Sequence, residues 1–287
     1  MTTAQSAPGL LPPVSDSEFR AFQKLIYEQA GIHLNASKRA LLAGRLARRV
    51  RELGFCRLRE YHEYVSSHAE ERVRMLDRIT TNETSFFREP RQFELLETRL
   101  LPEWREAAAA GTRPRRIRAW CAGCSSGEEP FSLAMVLVAC CPPADGWEIE
   151  IVASDLSTRV LERAQGATFP EQRAARIPRR YLERYMLRGV RSQQGFVKAG
   201  PELRERIRFE RVNLMDEKDA VSGQFDVIFC RNVLIYFDAA SKTQVLRRLQ
   251  SQLLPGGYLF LGHAESLARG ESRMKPVAPN VYRAAAA

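Results

Sequence analysis

Residues 117–141 read IRAWCAGCSSGEEPFSLAMVLVACC. Ile117–Cys121 has the composition of a strand. A loop with two glycines, Gly123 and Gly127, follows. An apolar helix then runs from about Glu129 to Cys140, and Pro142-Pro143 ends it. A strand, a glycine-bearing turn and a helix open a β-α-β unit. In open α/β sheets a ligand sits where the first strand ends, against the backbone N–H groups of that turn. Glycine there lets a ligand approach the main chain closely. The turn lacks the G-x-G-x-x-G spacing and the Lys-Ser/Thr of a phosphate loop. Glu128 and Glu129 would repel a pyrophosphate but suit a ligand with a cationic group. Cys121 and Cys124 form a C-x-x-C, yet no second pair or nearby His completes a site, so no metal is expected.

Outward from this unit the rhythm continues. Glu148–Ser154 reads as a second strand ending in Asp155, about one β-α-β unit beyond the glycine loop. A carboxylate there commonly accepts hydrogen bonds from ribose hydroxyls, and otherwise caps the next helix. Arg206–Val212, Phe225–Cys230 and Tyr258–Gly262 read as further strands, with a helix around Ser241–Leu254. Apolar strands alternating with helices imply a parallel sheet covered on both faces. The Arg-rich stretch from about Phe169 to Pro201 breaks this pattern and reads as an insertion with a glycine-bounded turn.

Upstream, residues 15–80 read as a small helical domain. Ser15 and Glu18 have capping-box spacing, Phe19, Phe22, Leu25 and Ile26 share a face, and Gly31 can end that helix. A second helix, about Ser37 to Leu53, has the stripe Leu42, Leu46, Val50 and Leu53, with Arg39, Arg45, Arg48 and Arg49 among the cations on its other faces. Residues 1–14 read as a flexible tail, 81–114 as a linker, and 115–287 as the sheet domain with its insertion at about 169–205.

The chain has 287 residues, a net charge of +10, 45% hydrophobic and 27% charged residues. That length suggests two domains and a core needing no staples, and the composition excludes a disordered or collagen-like chain. No apolar run reaches the ~18–20 residues of a membrane span. The N-terminus lacks a basic signal-like region, and six scattered cysteines read as free thiols in a reducing compartment, so the cytoplasm is expected. The basic balance favours polyanions, membrane surfaces or acidic protein surfaces as partners, and charge alone does not choose among them.

Two further segments carry polar groups at telling places. In TTNETSFFRE, 80–89, Asn82, Thr84 and Arg88 offer amide, hydroxyl and guanidinium between the helical and sheet regions. In CRNVLIYFD, 230–238, Arg231 and Asn232 follow an apolar strand, and Tyr236 lies four residues beyond Asn232. His263, in LGHAES, reads as a lone histidine without a catalytic role.

Together TNETSFFRE, CAGCSSGEEPFSLA, ASDLS, VNLMD, FDVIFCRNVLIYFD and GGYLFLGHAES resemble the CheR family, the bacterial chemoreceptor glutamate methyltransferases. The likeness runs from about Phe19 to Tyr282. It implies an α/β fold: a class I methyltransferase (Rossmann-like) sheet with a small inserted β-subdomain, preceded by an all-α N-terminal domain. It implies methyl transfer from S-adenosyl-L-methionine to receptor glutamate γ-carboxylates. The oligomeric state is left open by the sequence, with a monomer expected. Asn82, Thr84 and Arg88 would contact the cofactor, along with Gly123 and either Glu128 or Glu129. Asp155 would hold the ribose, Asn213 and Leu214 would border the adenine, and Arg231 and Asn232 would lie against the methionine moiety. Arg88 and Tyr236 would position the reacting groups. The basic helix with Arg39, Arg45, Arg48 and Arg49 would dock acidic receptor helices. Some family members grip a receptor pentapeptide with a glycine-rich loop; here it reads RGVRSQQG, with Gly189 and Gly195 but none between, which leaves that tether open. Nucleic acid is not an expected partner, because no Asn-Pro-Pro-aromatic or Pro-Cys motif is present. A nicotinamide enzyme lacks its glycine fingerprint; a nucleic-acid methyltransferase and a non-catalytic cofactor-binding module of the same fold are the alternatives.

Overall fold

Ser15 starts the first helix as its spacing predicts. In the computed structural model the Glu18 N–H donates to Ser15 Oγ at 3.3 Å and the Ser15 N–H donates to Glu18 Oε2 at 2.9 Å. This helix, α1 (Asp16–Ala30), ends at Gly31, whose φ of 66° lets its N–H turn back to the Tyr27 carbonyl. The structure describes residues 12–216, 221–267 and 274–285, so most of the expected tail, 1–14, lies outside the described residues.

Contacts divide the chain into two units. One is Met1–Thr81 with Tyr236–Asp238, and the other is Asn82–Ile235 with Ala239–Ala287. The first holds α1, α2 (Arg39–Glu52), α3 (Leu58–Ser67) and α4 (Ala69–Ile79). Phe19, Phe22, Ile26, Leu42, Leu46, Val50, Tyr61 and Val65 lie in its core. The buried Glu71 carboxylate takes Arg49 Nε and Nη2 at 2.8 and 2.6 Å and the Tyr61 hydroxyl at 3.0 Å. Burial pushes the Glu71 carboxyl up, but the Arg49 and Tyr61 hydrogen bonds outweigh it and hold it below its ordinary value. A depressed carboxylate contributes stability that is present above its unfolded pKa and lost as the pH falls through the folded one. The unfolding free energy of wild type should therefore drop on acidification below about 4.5. In Glu71→Gln this acid-side slope should flatten, which urea titrations across the acid range would read.

Tyr236–Asp238 is chemically part of this helical unit. The His33 N–H donates to the Tyr236 carbonyl at 2.8 Å, Ile32 bridges Phe237, and the Tyr27 hydroxyl donates to Asp238.

The second unit opens with a non-helical stretch, 82–89, and then has helix over much of the expected linker. α5 (Pro90–Leu95), a wide π stretch (Leu96–Leu100) and α6 (Leu101–Ala109) run without a break. Pro102 has no N–H, and its ring would press on the Thr98 carbonyl in a regular helix; the wide turn falls at that place. Next come β1 (Arg116–Ala122), α7 (Glu128–Cys140), β2 (Glu148–Asp155) and α8 (Thr158–Gly166). The insertion holds β3 (Thr168–Pro170), α9 (Glu171–Ala174), α10 (Arg179–Tyr185), β4 (Met186–Arg188) and β5 (Phe196–Ala199). The chain continues through α11 (Pro201–Arg204), β6 (Ile207–Arg211), β7 (Phe225–Cys230), α12 (Ala239–Ser251), β8 (Leu253–Leu261), β9 (Lys275–Ala278) and β10 (Val281–Arg283).

The main sheet has the order β6-β2-β1-β7-β8-β10-β9. Strands from β6 to β8 are parallel; β10 runs antiparallel to β8 and to β9. β1 lies at the switch point, with β2 on one side and β7 on the other, which is where such sheets bind ligands. The fold class is the expected one: an all-α domain, then a class I methyltransferase sheet carrying a small antiparallel sheet, β3-β5-β4, as its insertion. β8 is longer than the expected strand and runs through Pro255-Gly256-Gly257. β9 and β10 add an antiparallel edge that the sequence pattern does not show. Val227, Phe229 and Phe260 are fully buried, and the last two rings stack at 4.4 Å. Among the described residues no helix is long and apolar enough to cross a membrane.

Candidate functional site

At the end of β1 the chain must turn sharply under another segment. Gly123 has φ of 87°, and a Cβ there would overlap Val233 Cγ2. The N–H groups of Gly123 and Cys124 both donate to the Ser154 carbonyl at 2.8 Å, which fastens the loop to the end of β2. The Ser125 N–H donates to Asp155 Oδ2 at 2.9 Å, and the Ser157 N–H donates to Oδ1 at 2.9 Å. Asp155 thus closes its own turn as well as the glycine loop.

Asn213 and Leu214 join the same corner, since the Val212 N–H donates to the Asp155 carbonyl at 3.0 Å. Arg248, a residue without a signal in the sequence, holds this turn by donating Nη1 to the carbonyls of Asn213, Leu214 and Asp216. On the other side of the loop, Ser125 Oγ donates to the Asn82 carbonyl at 2.8 Å. Thr84 lies two residues beyond Asn82, half-buried.

The two adjacent glutamates separate cleanly. Glu128 is 0% exposed; its Oε2 accepts from Ser126 Oγ and its Oε1 from Arg173 Nη1, both at 2.7 Å. Glu129 instead faces Arg231, whose Nη1 donates to Oε2 at 3.0 Å, and its side chain keeps 11% exposure. Burial pushes the Glu129 carboxyl above its ordinary value, with the Arg231 charge opposing.

Arg231 is the hub of the strand ends. Its side chain is 1% exposed, pairs with Glu129 and, at 3.2 Å, with Glu89, and donates Nη2 to the Arg88 carbonyl. The guanidinium lies over Phe93 and Phe229, 5.5 and 5.8 Å from their ring centres. The hub draws residues 86–89 onto the sheet. That stretch is bent by two residues in left-handed conformation, Phe87 and Glu89, and the Phe87 N–H is caught by Ser132 Oγ on α7 at 3.0 Å. Arg88 itself points elsewhere. Its Nη1 donates to the Glu83 carbonyl at 3.1 Å, and among the described residues it has no carboxylate partner.

Asn232 also has a left-handed φ, 59°. Its support is Glu265, which stands in the motif GGYLFLGHAES but is not singled out there; Glu89, Ser132 and Arg173 are likewise not singled out by the sequence pattern. The thiols of Cys121, Cys124 and Cys230 are buried, which pushes their pKa values well above the usual thiol range. They behave as small apolar side chains here.

Not every expected residue joins this network. Tyr236 is held within the helical unit. Of the four arginines expected to dock a partner, Arg49 is committed to buried Glu71, and Arg45 donates to the Ile79 carbonyl and, at 2.8 Å, to Thr81 Oγ1. Their charge is engaged inside the helical unit. Arg48 projects to solvent beside Glu52, and Arg39 pairs with Asp16 while lying over Phe19.

A glycine turn after β1, an acid closing β2 and buried carboxylates in place of a phosphate-binding cation fit a nucleoside cofactor with a cationic amino-acid end. This fold and site define an S-adenosylmethionine-dependent methyltransferase. Residues 82–282 match the model of the CheR methyltransferase SAM-binding domain, and residues 17–80 match that of the CheR methyltransferase all-alpha domain. The chain belongs to the CheR methyltransferase family, whose activity is S-adenosylmethionine-dependent methylation in chemotaxis. It is 38% identical over 272 residues to a chemotaxis protein methyltransferase of Escherichia coli, covering 94% of this chain and 91% of that one. A protein of that name from Klebsiella aerogenes is 38% identical, over 90% of this chain and 86% of the relative. One from Borreliella burgdorferi is 34% identical over 99% of both.

Proposed function

We propose that this chain methylates the γ-carboxylates of glutamate side chains on chemoreceptors, yielding glutamate methyl esters and S-adenosylhomocysteine. The observation that carries this reading is the contrast between two arginines. Arg231 is neutralised by two carboxylates. Arg88 is half-buried, is in no ion pair among the described residues, and has the Glu83 carbonyl as its partner. A guanidinium left without a counter-charge is suited to an incoming carboxylate, which it can hold through two parallel N–H groups.

The chemistry asks little more of the protein. When bound, S-adenosylmethionine supplies a methyl group on a sulfonium, a good leaving group. A glutamate side chain has a pKa of about 4.3 and is already an anion at neutral pH, so no general base is required. What the chain's own residues supply is alignment and the exclusion of water. Arg88 orients the carboxylate, and Tyr236, assigned by the family resemblance, donates a hydrogen bond to it. Asp155 holds the ribose hydroxyls, and Asn213 and Leu214 border the adenine. Asn82, Thr84, Gly123, Arg231 and Asn232 complete the cradle. Of the two adjacent glutamates we assign Glu129 to the cofactor, because Glu128 is wholly enclosed with both oxygens bonded within the protein. Arg48, the exposed docking candidate, and the half-buried Arg39 would steer acidic receptor helices in the cytoplasm. A monomer suffices for all of these roles.

The test is methyl transfer from radiolabelled S-adenosylmethionine to membranes containing chemoreceptors, followed by alkali. The expected product is volatile, base-labile label, as a carboxyl methyl ester gives. Base-stable label would overturn the glutamate assignment.

A further inference from the structure

Three backbone N–H groups from two separate segments converge on the carboxylate of Glu265. Its Oε2 accepts from the Gly262 N–H at 2.7 Å and the Asn232 N–H at 2.9 Å, and its Oε1 accepts from the Ile235 N–H at 3.2 Å. Glu265 is 5% exposed. We infer that Glu265 is a positioning residue for cofactor binding, its carboxylate fixing the turn that presents Asn232. The inference rests on the proposed contact between Asn232 and the cofactor.

The physical case has three parts. Asn232 sits in the left-handed region, which non-glycine residues occupy only when the surroundings hold them there. Its N–H is held by Glu265, so the carboxylate supports the unusual turn directly. Second, the side-chain chemistry is specific. An ionised carboxylate accepts at both oxygens and donates nothing, whereas an amide would turn an NH₂ toward an N–H donor at one end. Third, there is no slack at the site. A Cβ on Gly262 would lie 2.7 Å from the Asn232 backbone nitrogen and 2.8 Å from Glu265 Oε2. The backbone of Glu265 is itself anchored, since Asn280 Nδ2 donates to its carbonyl, and the Leu261 N–H donates to the Asn280 carbonyl at 2.8 Å. The turn between β9 and β10 therefore braces the acid that braces Asn232.

The experiment compares Glu265→Gln, Asn232→Ala and the double variant by calorimetric titration with S-adenosylhomocysteine, with thermal unfolding and steady-state methyl transfer alongside. Glu265→Gln should raise the dissociation constant about tenfold or more. Its KM for S-adenosylmethionine should rise while kcat at saturation stays within about twofold. The double variant should bind no worse than the weaker single one, because both remove the same contact. A purely structural role would lower the melting temperature without this split or this non-additivity, and would overturn the inference. Should Glu265→Gln fail to fold, Asn280→Ala, which loosens the acid from behind, carries the same expectation in weaker form. Normal binding by Glu265→Gln beside weakened binding by Asn232→Ala would overturn the inference alone. Normal binding by Asn232→Ala would overturn the cofactor reading beneath it.

Discussion

Arg231→Ala should lose about 3–5 kcal/mol of unfolding free energy, the usual cost of stripping one partner from a buried ion pair. The loss would appear as a lower urea midpoint at an unchanged slope. Two carboxylates, Glu89 and Glu129, would be left in a site where the arginine is 1% exposed. The loss should also depend on pH with a definite sign. Burial already raises the Glu129 carboxyl, and removing the opposing Arg231 charge raises it further. A group with a raised folded pKa favours the folded state at low pH, and this contribution fades as the pH climbs through that pKa. The deficit of the variant should therefore shrink on acidification. Adding Glu89→Gln and Glu129→Gln to an Arg231→Met background should return much of the stability, since a neutral cluster has no charge to leave unpaired. It should not return cofactor affinity. Recovery of both would mean that the hub serves the fold alone.

Asp155→Ala should weaken S-adenosylhomocysteine binding by about 10- to 150-fold, the equivalent of roughly 1.5–3 kcal/mol for charged hydrogen bonds. The wild-type reference is expected at about 1 μM or tighter, about −8 kcal/mol. Two effects add: under the proposed assignment the ribose would lose its acceptor, and the N–H groups of Ser125 and Ser157 lose theirs, which frees the glycine loop. Calorimetric titration reads the sum. Asp155→Asn separates the parts, because it keeps an acceptor for one N–H while removing the charge. Unchanged binding by Asp155→Ala would remove the ribose assignment.

The parts of the molecule legible in the sequence are those where one residue type has one physical use. A Ser-x-x-Glu pair before an apolar stripe marks a helix start, and a carboxylate or arginine directly after an apolar strand lies at the ligand-bearing edge of the sheet. The places of Asp155 at the end of β2 and of Arg231 directly after β7 are readable for that reason. Glu265 is not, because its partners are backbone N–H groups, two of them 30 and 33 positions away, which leave no trace in side-chain identity. Arg173 and Arg248 are hidden in the same way among many other arginines. The helix over 90–109 is obscured by Pro102, which the wide turn accommodates. β9 and β10 are too short, at four and three residues, to show a period. Arg45 and Arg49 carry the opposite problem. Their basic face looks free in the sequence, whereas the long side chains reach inward to the Ile79 carbonyl and to Glu71.

Residues 236–238 are encoded far downstream of the four helices, yet they close the helical unit through Ile32, His33 and Tyr27. A gene fragment ending at codon 81 would express those helices without that clasp. Recombination that moved the helical segment onto a different sheet would carry the same defect unless the new host offered an equivalent tripeptide after its own strand. The helical unit is thus completed by residues from two distant stretches of the chain, and a simple exchange of one end would separate them.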